Sequence, residues 1–419
     1  MSLVRFWRQR LSTDVTPSRA VVLLSAYAAA RGLPEPAALC GSWFGSSAVV
    51  APFVSVSASS FPTVVDVDAP EGCVGGGWFG YLSYDSADPS GRSSGVPGSA
   101  WGFADHVLRW DLAGGCWFES LADDPGPLLS TVEEALSSSA SLTWTASVLE
   151  RPSAASHSLA VKACVSSIEA GELFQANICT RFTGPFSGSA AALFSEGVRR
   201  LSPSRSCFVS GPWGSVVSLS PELFLSRRGR RVTSVPIKGT LPRRGPADDG
   251  NALLLRRSAK DVAENVMITD LVRNDLGRVC EVGSVVVPSL LTVSPAPGVW
   301  HLASTVEGVL PSGVSDSALL AATFPPGSVT GAPKIRALDE IALLEPLPRG
   351  VYTGAVGMLS PVAGLELNVA IRTFEISAGR IALGVGGGIT ADSDSAVEWQ
   401  ECLHKAAPLE TLLATPPAV

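Results

Sequence analysis

Residues 231–237 constrain the fold most, because their alternation of polar and apolar side chains predicts a β-strand with one apolar face. Val235 and Ile237 share that face, whereas Lys238 points to the other one and is followed by Gly239. A glycine lets a ligand or another backbone approach closely. A lysine at such a position is usually a surface residue with a buried stem. In a dehydrated site, however, its neutral amine can act as a nucleophile.

The composition indicates a water-soluble globular protein with a large core. The 419 residues are 46% hydrophobic and 16% charged, and the formal net charge of −7 argues against nucleic acid as a partner. No apolar run is long enough to span a bilayer, and the basic N-terminus lacks the apolar core of a signal peptide. The eight cysteines include no Cys-x-x-Cys pair. We therefore expect a cytoplasmic protein with no nucleic-acid or membrane partner.

The first part of the chain predicts short strands separated by turns. Residues 21–24, 48–50 and 64–67 are rich in β-branched and other apolar side chains, and residues 75–85 combine a glycine run with aromatic residues. That glycine run lacks the Lys-Ser/Thr of a phosphate-binding loop, so we interpret it as structural. We expect residues 1–150 to form a β-rich region of the same globular unit as a second region at residues 156–415.

In the second region, a helix over residues 157–174 is expected to precede a strand over residues 175–182. Residues 216–221 and 231–237 then predict a hairpin around an arginine-rich turn. An antiparallel pair brings its two open ends together. The carboxyl of Glu222 is therefore expected to lie near the amine of Lys238.

Later strands carry single polar residues among apolar neighbours. His301 lies in a strand predicted over residues 300–306, where one histidine is more often a core residue than a catalyst. A second strand is predicted over residues 351–359, and a third, over residues 365–376, carries Arg372. A buried arginine needs an anionic partner.

Two predicted helices carry acidic faces, one over residues 258–275 and one beginning near Ser395. Glu264 lies on the first, and Glu398, Glu401 and Lys405 share one face of the second. Such faces are often only solvated surfaces with ordinary salt bridges. If they converge, their hard oxygen ligands suit Mg²⁺. Together with Arg372 and the bare amides of residues 386–388, a metal would suit a small substrate that bears more than one carboxylate.

From about residue 156 onward, the chain resembles the chorismate-utilising enzymes. The resemblance depends on many motifs in the same order. They are residues 172–177 (ELFQAN), 220–224 (SPELF), 236–240 (PIKGT), 258–261 (SAKD), 270–278 (DLVRNDLGR), 301–306 (HLASTV), 327–334 (GSVTGAPK), 370–373 (AIRT) and 386–389 (GGGI). Within the first 150 residues only the stretch 75–85 matches. The resemblance therefore implies a divergent N-terminal region and a chorismate-binding catalytic region at residues 156–415.

The resemblance implies an α+β fold in which two facing antiparallel sheets have helices outside and the active site lies in the cleft between them. It implies that Glu264 and Glu401 bind Mg²⁺, with Glu398 assisting through water. Glu222 would be the general acid that protonates the departing C4 hydroxyl of chorismate, and His301 would lie beside the ring. The implied substrate-binding residues are Gly239, Thr240, Thr305, Tyr352, Arg372, Gly386, Gly387, Gly388 and Lys405.

Lys238 separates the subfamilies, since anthranilate and isochorismate synthases usually have alanine there. Lysine at position 238 with Gln175 resembles the aminodeoxychorismate-forming members. In these, the lysine attacks C2 and ammonia then enters at C4, which gives 4-amino-4-deoxychorismate for folate or a specialised aromatic amine. The chain has no Gly-x-Cys-x-Gly elbow, so ammonia is expected from a separate glutamine amidotransferase.

Two alternatives remain open. The first is an anthranilate synthase component, which forms another product from the same substrate. The second is a non-catalytic relative that only binds an amidotransferase. The presence of Glu222, Lys238, Glu264, His301 and Glu401 argues against the second, because binding alone requires none of them.

Overall fold

The computed structural model describes residues 6–243 and 245–417, and within them two large sheets form. The first sheet, called sheet A here, has 12 strands that pair antiparallel with their neighbours. Its strands are β1 (Trp7–Leu11), β2 (Ala37–Trp43), β3 (Ser46–Ala51), β7 (His106–Trp110), β8 (Cys116–Ser120), β9 (Trp144–Ala146), β10 (Gln175–Gly188), β11 (Arg205–Gly211), β12 (Gly214–Ser220), β18 (Gly331–Ala332), β21 (Thr373–Ser377) and β22 (Arg380–Ile389). Their spatial order is β1-β8-β7-β3-β2-β11-β12-β21-β22-β10-β18, and β9 pairs with β10.

The second sheet, sheet B, has 10 strands and is also antiparallel. Its strands are β4 (Ser57–Ala58), β5 (Gly77–Leu82), β6 (Ser99–Ala104), β13 (Leu223–Arg228), β14 (Arg231–Val235), β15 (Ile237–Pro242), β16 (Val286–Ala296), β17 (Val299–Val309), β19 (Ala355–Ser360) and β20 (Gly364–Val369). Their order is β15-β17-β14-β13-β20-β19-β5-β6-β4, and β16 pairs with β17.

The two sheets face each other, and the helices lie outside them. Apolar side chains of β2, β3 and β11 pack against those of β5 and β19 in a core between the sheets. The helices are α1 (Pro17–Arg31), α2 (Gly126–Leu136), α3 (Ala154–Glu169), α4 (Ala190–Leu201), α5 (Asn251–Arg257), α6 (Ala259–Gly277), α7 (Asp316–Thr323), α8 (Lys334–Leu344) and α9 (Ser395–Leu413). Helices α1, α2, α4 and α9 cover sheet A, and α6 and α7 cover sheet B. Among the described residues, no helix has the length and apolar character needed to cross a membrane.

Two of the predicted N-terminal strands are wrong. Residues 21–24 lie inside α1, whose first turn is capped by the Thr16 hydroxyl accepting from the Arg19 amide. Gly32 ends this helix with a left-handed φ of 64°. A short apolar run fits a buried helix as well as a strand, so its flanking caps determine the outcome. Residues 64–67 lie between β4 and β5, outside any strand.

A hairpin does form around the arginine-rich turn, but its first strand is β13 and not the predicted residues 216–221. Residues 216–220 belong to β12, which pairs with β11 and β21, whereas β14 pairs with β13. Glu222 stands just before β13, and the Ile237 amide donates a hydrogen bond to its carboxyl. The Lys238 charge also acts on the pKa of Glu222, so the expected closeness of Glu222 to Lys238 is found, but with a different strand pair.

The continuous strand predicted over residues 365–376 is also wrong. It is two strands, β20 and β21, and they belong to different sheets. Arg372 lies in the break between them with a φ of 50°. A left-handed residue cannot continue a strand, and the break transfers the chain from sheet B to sheet A.

Lys334 anchors the loop of residues 324–333 to helix α6. Its ammonium donates to Asp275 Oδ2 at 2.5 Å, to the Thr323 carbonyl at 2.7 Å and to the Pro325 carbonyl at 2.9 Å. The Lys334 and Asp275 side chains are only 12% and 6% exposed. Because this loop contains β18, the contact fixes the position of β18 relative to α6.

We predict that Lys334→Met lowers the free energy of unfolding by about 3 kcal/mol, because it leaves the buried Asp275 carboxylate without its cation. Urea denaturation of the two proteins measures the loss. The matched control is Arg273→Met, which removes an exposed pair with Asp270 on the same helix and should cost less than about 0.5 kcal/mol. Equal losses in both variants would contradict the anchoring role.

Candidate active site

A β-bulge places Lys238 in the cleft between the sheets. The pairing of β15 with β17 shifts register between Ile237 and Thr240, and a bulge of this kind redirects a side chain. Gly239 has a φ of 92°, and a Cβ there would lie 2.9 Å from the Leu255 Cδ1 atom. The positive φ therefore favours glycine at position 239.

A strand of bare glycines in β22 forms the opposite wall of the cleft. A Cβ on Gly388 would lie 3.1 Å from Lys238 Nζ and would overlap the Gln175 amide. On the other face, a Cβ on Gly387 would lie 3.0 Å from Glu398 Oε2 and 3.6 Å from Glu401 Oε1. Side chains at these two positions would fill the space beside the candidate nucleophile and beside the acidic residues.

Glu222 has the burial and the contacts of a general acid. Its side chain is buried, and its carboxyl accepts hydrogen bonds from the Ser328 hydroxyl at 2.7 Å and from the Ile237 amide. Burial raises the pKa of Glu222 to about 7, against the opposing effects of the Ser328 hydrogen bond and the Lys238 charge. Near neutral pH a large fraction of this carboxyl carries a proton that it can donate.

His301 is neutral at physiological pH. Burial, assisted by the positive charge of Arg372, lowers its pKa to about 4. Its Nδ1 lies 2.9 Å from the Thr240 hydroxyl, and its buried Nε2 has no hydrogen-bond partner among the described residues. A buried polar atom without a protein partner indicates a contact to a ligand or water.

Arg372 lies within electrostatic range of both Glu222 and His301. It lies in the break between β20 and β21, where its backbone is left-handed. The anionic neighbour that the sequence predicted is Glu222. Because the pKa of Glu222 is about 7, a protonated Glu222 leaves Arg372 available for a substrate carboxylate.

The acidic residues of α6 and α9 converge at the same end of the cleft, and three lysines accompany them. Lys238 Nζ lies 3.7 Å from Glu264 Oε2, Lys260 Nζ lies 3.6 Å from Glu398 Oε1, and Lys405 Nζ lies 2.6 Å from Glu401 Oε1. Burial raises the pKa of Glu264, although both Lys238 and Lys260 oppose it. For Glu401, burial also acts upward, but the charge and hydrogen bond of Lys405, together with the charges of Lys260 and Lys238, outweigh it and the pKa is lowered.

The donor set of these residues fits Mg²⁺. No group of three or more His, Cys, Asp or Glu side chains within residues 6–243 and 245–417 is arranged as a complete metal cage. Mg²⁺ does not need one, because it binds through one or two carboxylates and keeps several waters or ligand oxygens. Glu398 Oε1 accepts from the Ser393 hydroxyl at 2.7 Å, whereas the buried Oε2 lacks a partner in the described structure. That oxygen remains free for a water or a cation.

Other predicted site residues occupy different positions. Lys405 donates to the Gly386 carbonyl at 2.8 Å, which holds it beside the glycine strand. Tyr352 packs over Gly384 and hydrogen-bonds with the Cys179 thiol. Thr305 lies about 13 Å along β17 from His301, given the strand rise per residue. Substrate contacts by these three residues stay predictions.

Two residues of the site were missed from the sequence. Ser328 donates to Glu222, and Lys260 pairs with Glu398. Both lie in motifs that carry the family resemblance, residues 327–334 and 258–261. Membership in these motifs indicated that Ser328 and Lys260 matter. Their partners, Glu222 and Glu398, come from distant parts of the chain, so only the fold reveals the contacts.

We predict that Ser328→Ala raises the pKa of Glu222 further above about 7, because the Ser328 hydrogen bond stabilises the ionised carboxylate. Infrared titration of the protonated carboxyl band, with Glu222→Gln to assign the band, measures the shift. At a fixed pH near 8, the Ser328→Ala protein should keep more of this band than the unsubstituted protein. An unchanged or lower pKa would contradict the assignment.

The sequence of this chain is similar to a known protein family and to characterised proteins. A family model described as chorismate binding enzyme matches residues 49–411. The chain is 43% identical over 240 residues to aminodeoxychorismate synthase component 1 of Klebsiella aerogenes, which covers 57% of this chain and 53% of that protein. It is 40% identical over 266 residues to anthranilate synthase component 1 of Streptomyces coelicolor. That match covers 62% of this chain and 51% of the Streptomyces coelicolor protein.

The fold is also similar to a solved structure, that of anthranilate synthase component I from Streptococcus pneumoniae. The TM-score is 0.73 at 27% identity, with 83% of each chain covered. The predicted α+β fold of two facing sheets is thereby confirmed. The chain spans about half the length of the curated relatives that it matches.

Proposed function

The chain belongs to the chorismate binding enzyme family, and we propose that it aminates chorismate at C4 to give 4-amino-4-deoxychorismate. The observation that carries the proposal is the bulged position of Lys238, which faces the glycine strand beside Gln175. Glu222 stands just before β13, within electrostatic range of Lys238, and it can donate a proton. A nucleophile and an acid in one dehydrated cleft suit a displacement through a covalent intermediate.

In the first proposed step, the Lys238 amine forms a bond to C2 of chorismate while the bond from C4 to its oxygen breaks. The two ring double bonds shift between these carbons, and Glu222 gives the proton with which the oxygen leaves as water. In the second step, ammonia forms a bond to C4, the double bonds shift back, and the bond from C2 to the lysine nitrogen breaks. Glu222 recovers its proton from the new ammonium group, so the residues return to their starting states.

Substrate recognition is assigned to groups around these two residues. Arg372 would bind one carboxylate of chorismate, and the backbone amides along Gly386–Gly388 would approach another closely. His301 is oriented by Thr240, and its unpartnered Nε2 can donate to or accept from the ligand. The narrow glycine wall would exclude water from the reacting carbons.

We assign Mg²⁺ to Glu264 and Glu401, with Glu398 assisting through water. When bound, the ion supplies positive charge that neutralises a substrate carboxylate. Glu264 and Glu401 project from different helices, α6 and α9, so the site would also hold these helices together. The free Glu398 Oε2 supports the assignment.

We also propose that a separate glutamine amidotransferase supplies the ammonia. The Klebsiella aerogenes relative is named component 1, which indicates a further component in that enzyme. The second candidate function is that of an anthranilate synthase component, since the Streptomyces coelicolor and Streptococcus pneumoniae proteins bear that name. Lys238 favours C4 amination, because an occupied C2 directs ammonia to C4.

The mass of the product tests the proposed reaction. With chorismate, Mg²⁺ and ammonium salts at high pH, we expect 4-amino-4-deoxychorismate with its enolpyruvyl group still attached. Lys238→Ala should lose the covalent adduct and about 1,000-fold or more in rate, as expected for loss of a nucleophile. Lys162→Ala, on the exposed face of α3, is the matched control. Release of anthranilate and pyruvate would show that the anthranilate assignment is correct instead.

The metal assignment predicts that Glu264→Gln and Glu401→Gln each lower turnover about 100-fold or more, while the melting temperature changes little. Excess EDTA should abolish turnover, and added Mg²⁺ should restore it. Glu410→Gln, which removes an ion pair with Arg151 elsewhere on α9, should stay active and serves as the control. Full activity in EDTA would rule out the metal.

A further inference from the structure

The three carboxylates assigned to the metal are each paired with one lysine. Glu264 pairs with Lys238, Glu398 with Lys260 and Glu401 with Lys405, at separations from 2.6 to 3.7 Å. Three negative and three positive charges leave the cluster neutral. A divalent cation that entered this arrangement would meet three ammonium groups, so at least one must move away. The following inference depends on the metal in the proposed function.

The three lysines differ in how firmly they are held. The Lys238 side chain is only 13% exposed and contacts the glycine strand, and Lys405 also donates to the Gly386 carbonyl. Lys260 is 54% exposed and, among the described residues, forms an ion pair with Glu398 alone. Lys260 lies one helical turn before Glu264 on α6, on the solvent-exposed side of the cluster. It can therefore swing into water without breaking another contact.

We propose that Lys260 is a displaceable counter-ion: it neutralises Glu398 in the metal-free protein and leaves when a divalent cation binds. Its ammonium lies within electrostatic range of Glu398, Glu264 and Glu401, in decreasing order of effect. All three carboxylates therefore act on this one ammonium group. Lys260 thereby sets the affinity of the site without touching the substrate.

The environment of Glu398 supports this role independently. Its side chain is 2% exposed, so an unpaired carboxylate there would be costly. Ser393 and Lys260 both approach Oε1, whereas Oε2 has no partner in the described structure. Oε2 points to the Cβ position of Gly387, beside Glu401 Oε1. The carboxylate is thus stabilised on one oxygen and left open on the other, as a site that exchanges cations requires.

Metal titration of the Lys260→Gln protein tests the proposal. Mn²⁺ serves as the probe, since carboxylate and water ligands suit both Mn²⁺ and Mg²⁺, and electron paramagnetic resonance measures the free ion at pH 8. We expect Lys260→Gln to bind Mn²⁺ about fivefold more tightly than the unsubstituted protein, as expected for removal of one partly exposed competing charge. The melting temperature without metal should fall, and the rise on adding Mg²⁺ should be larger.

Two control variants separate charge from structure. Lys260→Arg keeps the positive charge and should bind Mn²⁺ as the unsubstituted protein does, and Lys162→Gln removes an exposed lysine from α3. Equal or weaker Mn²⁺ binding by Lys260→Gln would overturn the counter-ion role while leaving the metal site in place. Absence of saturable Mn²⁺ binding in every variant would overturn both. The product assay remains a separate test of C4 amination.

Discussion

The buried contact between Lys334 and Asp275 determines how the two halves of the site meet. Asp275 belongs to α6, which also carries Glu264, and Lys334 follows the loop that carries Ser328. The same loop contains β18, which pairs with the beginning of β10 and therefore with sheet A. One ammonium with three acceptors thus connects an acidic helix outside sheet B, the hydrogen-bond partner of Glu222 and the edge of sheet A.

Charge compensation is the second organising feature of the cleft. Isolated buried charges are costly. Burial favours the protonated form of Glu222 and the neutral form of His301, whereas the three carboxylates that we assign to Mg²⁺ are each paired with a lysine. When Glu222 is protonated, Arg372 keeps a positive charge for an anionic ligand. A dianionic substrate and a divalent cation that entered together would add no net charge.

Much of the catalytic half could be predicted from the sequence, because its elements have clear periodicity and caps. The helices that carry Glu264 and Glu401 begin within one residue of their predicted starts, and the closeness of Glu222 to Lys238 was predicted, although from the wrong strand pair. The errors occur where tertiary context outweighs local pattern. The apolar run at residues 21–24 is compatible with helix or strand, and nothing local shows that β12 pairs with β21 rather than with β14.

Contacts between distant residues account for what the sequence could not reveal. Ser328 reaches Glu222 across 106 positions of the chain, and the Lys260–Glu398 pair joins two helices. The bulge at Gly239 depends on the register of β15 against β17, which no single strand encodes. Motif order indicated the family, but the pairing of individual charges required the folded backbone.

Arg372 has a consequence for how such a protein changes under selection. A left-handed backbone costs a non-glycine residue about 1–2 kcal/mol, and glycine would avoid that cost at this position. The guanidinium in the cleft is available only if the chain accepts the strain. Selection for thermal stability alone would favour glycine or asparagine here, whereas selection for binding an anion would retain arginine. Stability and activity therefore pull in opposite directions at residue 372.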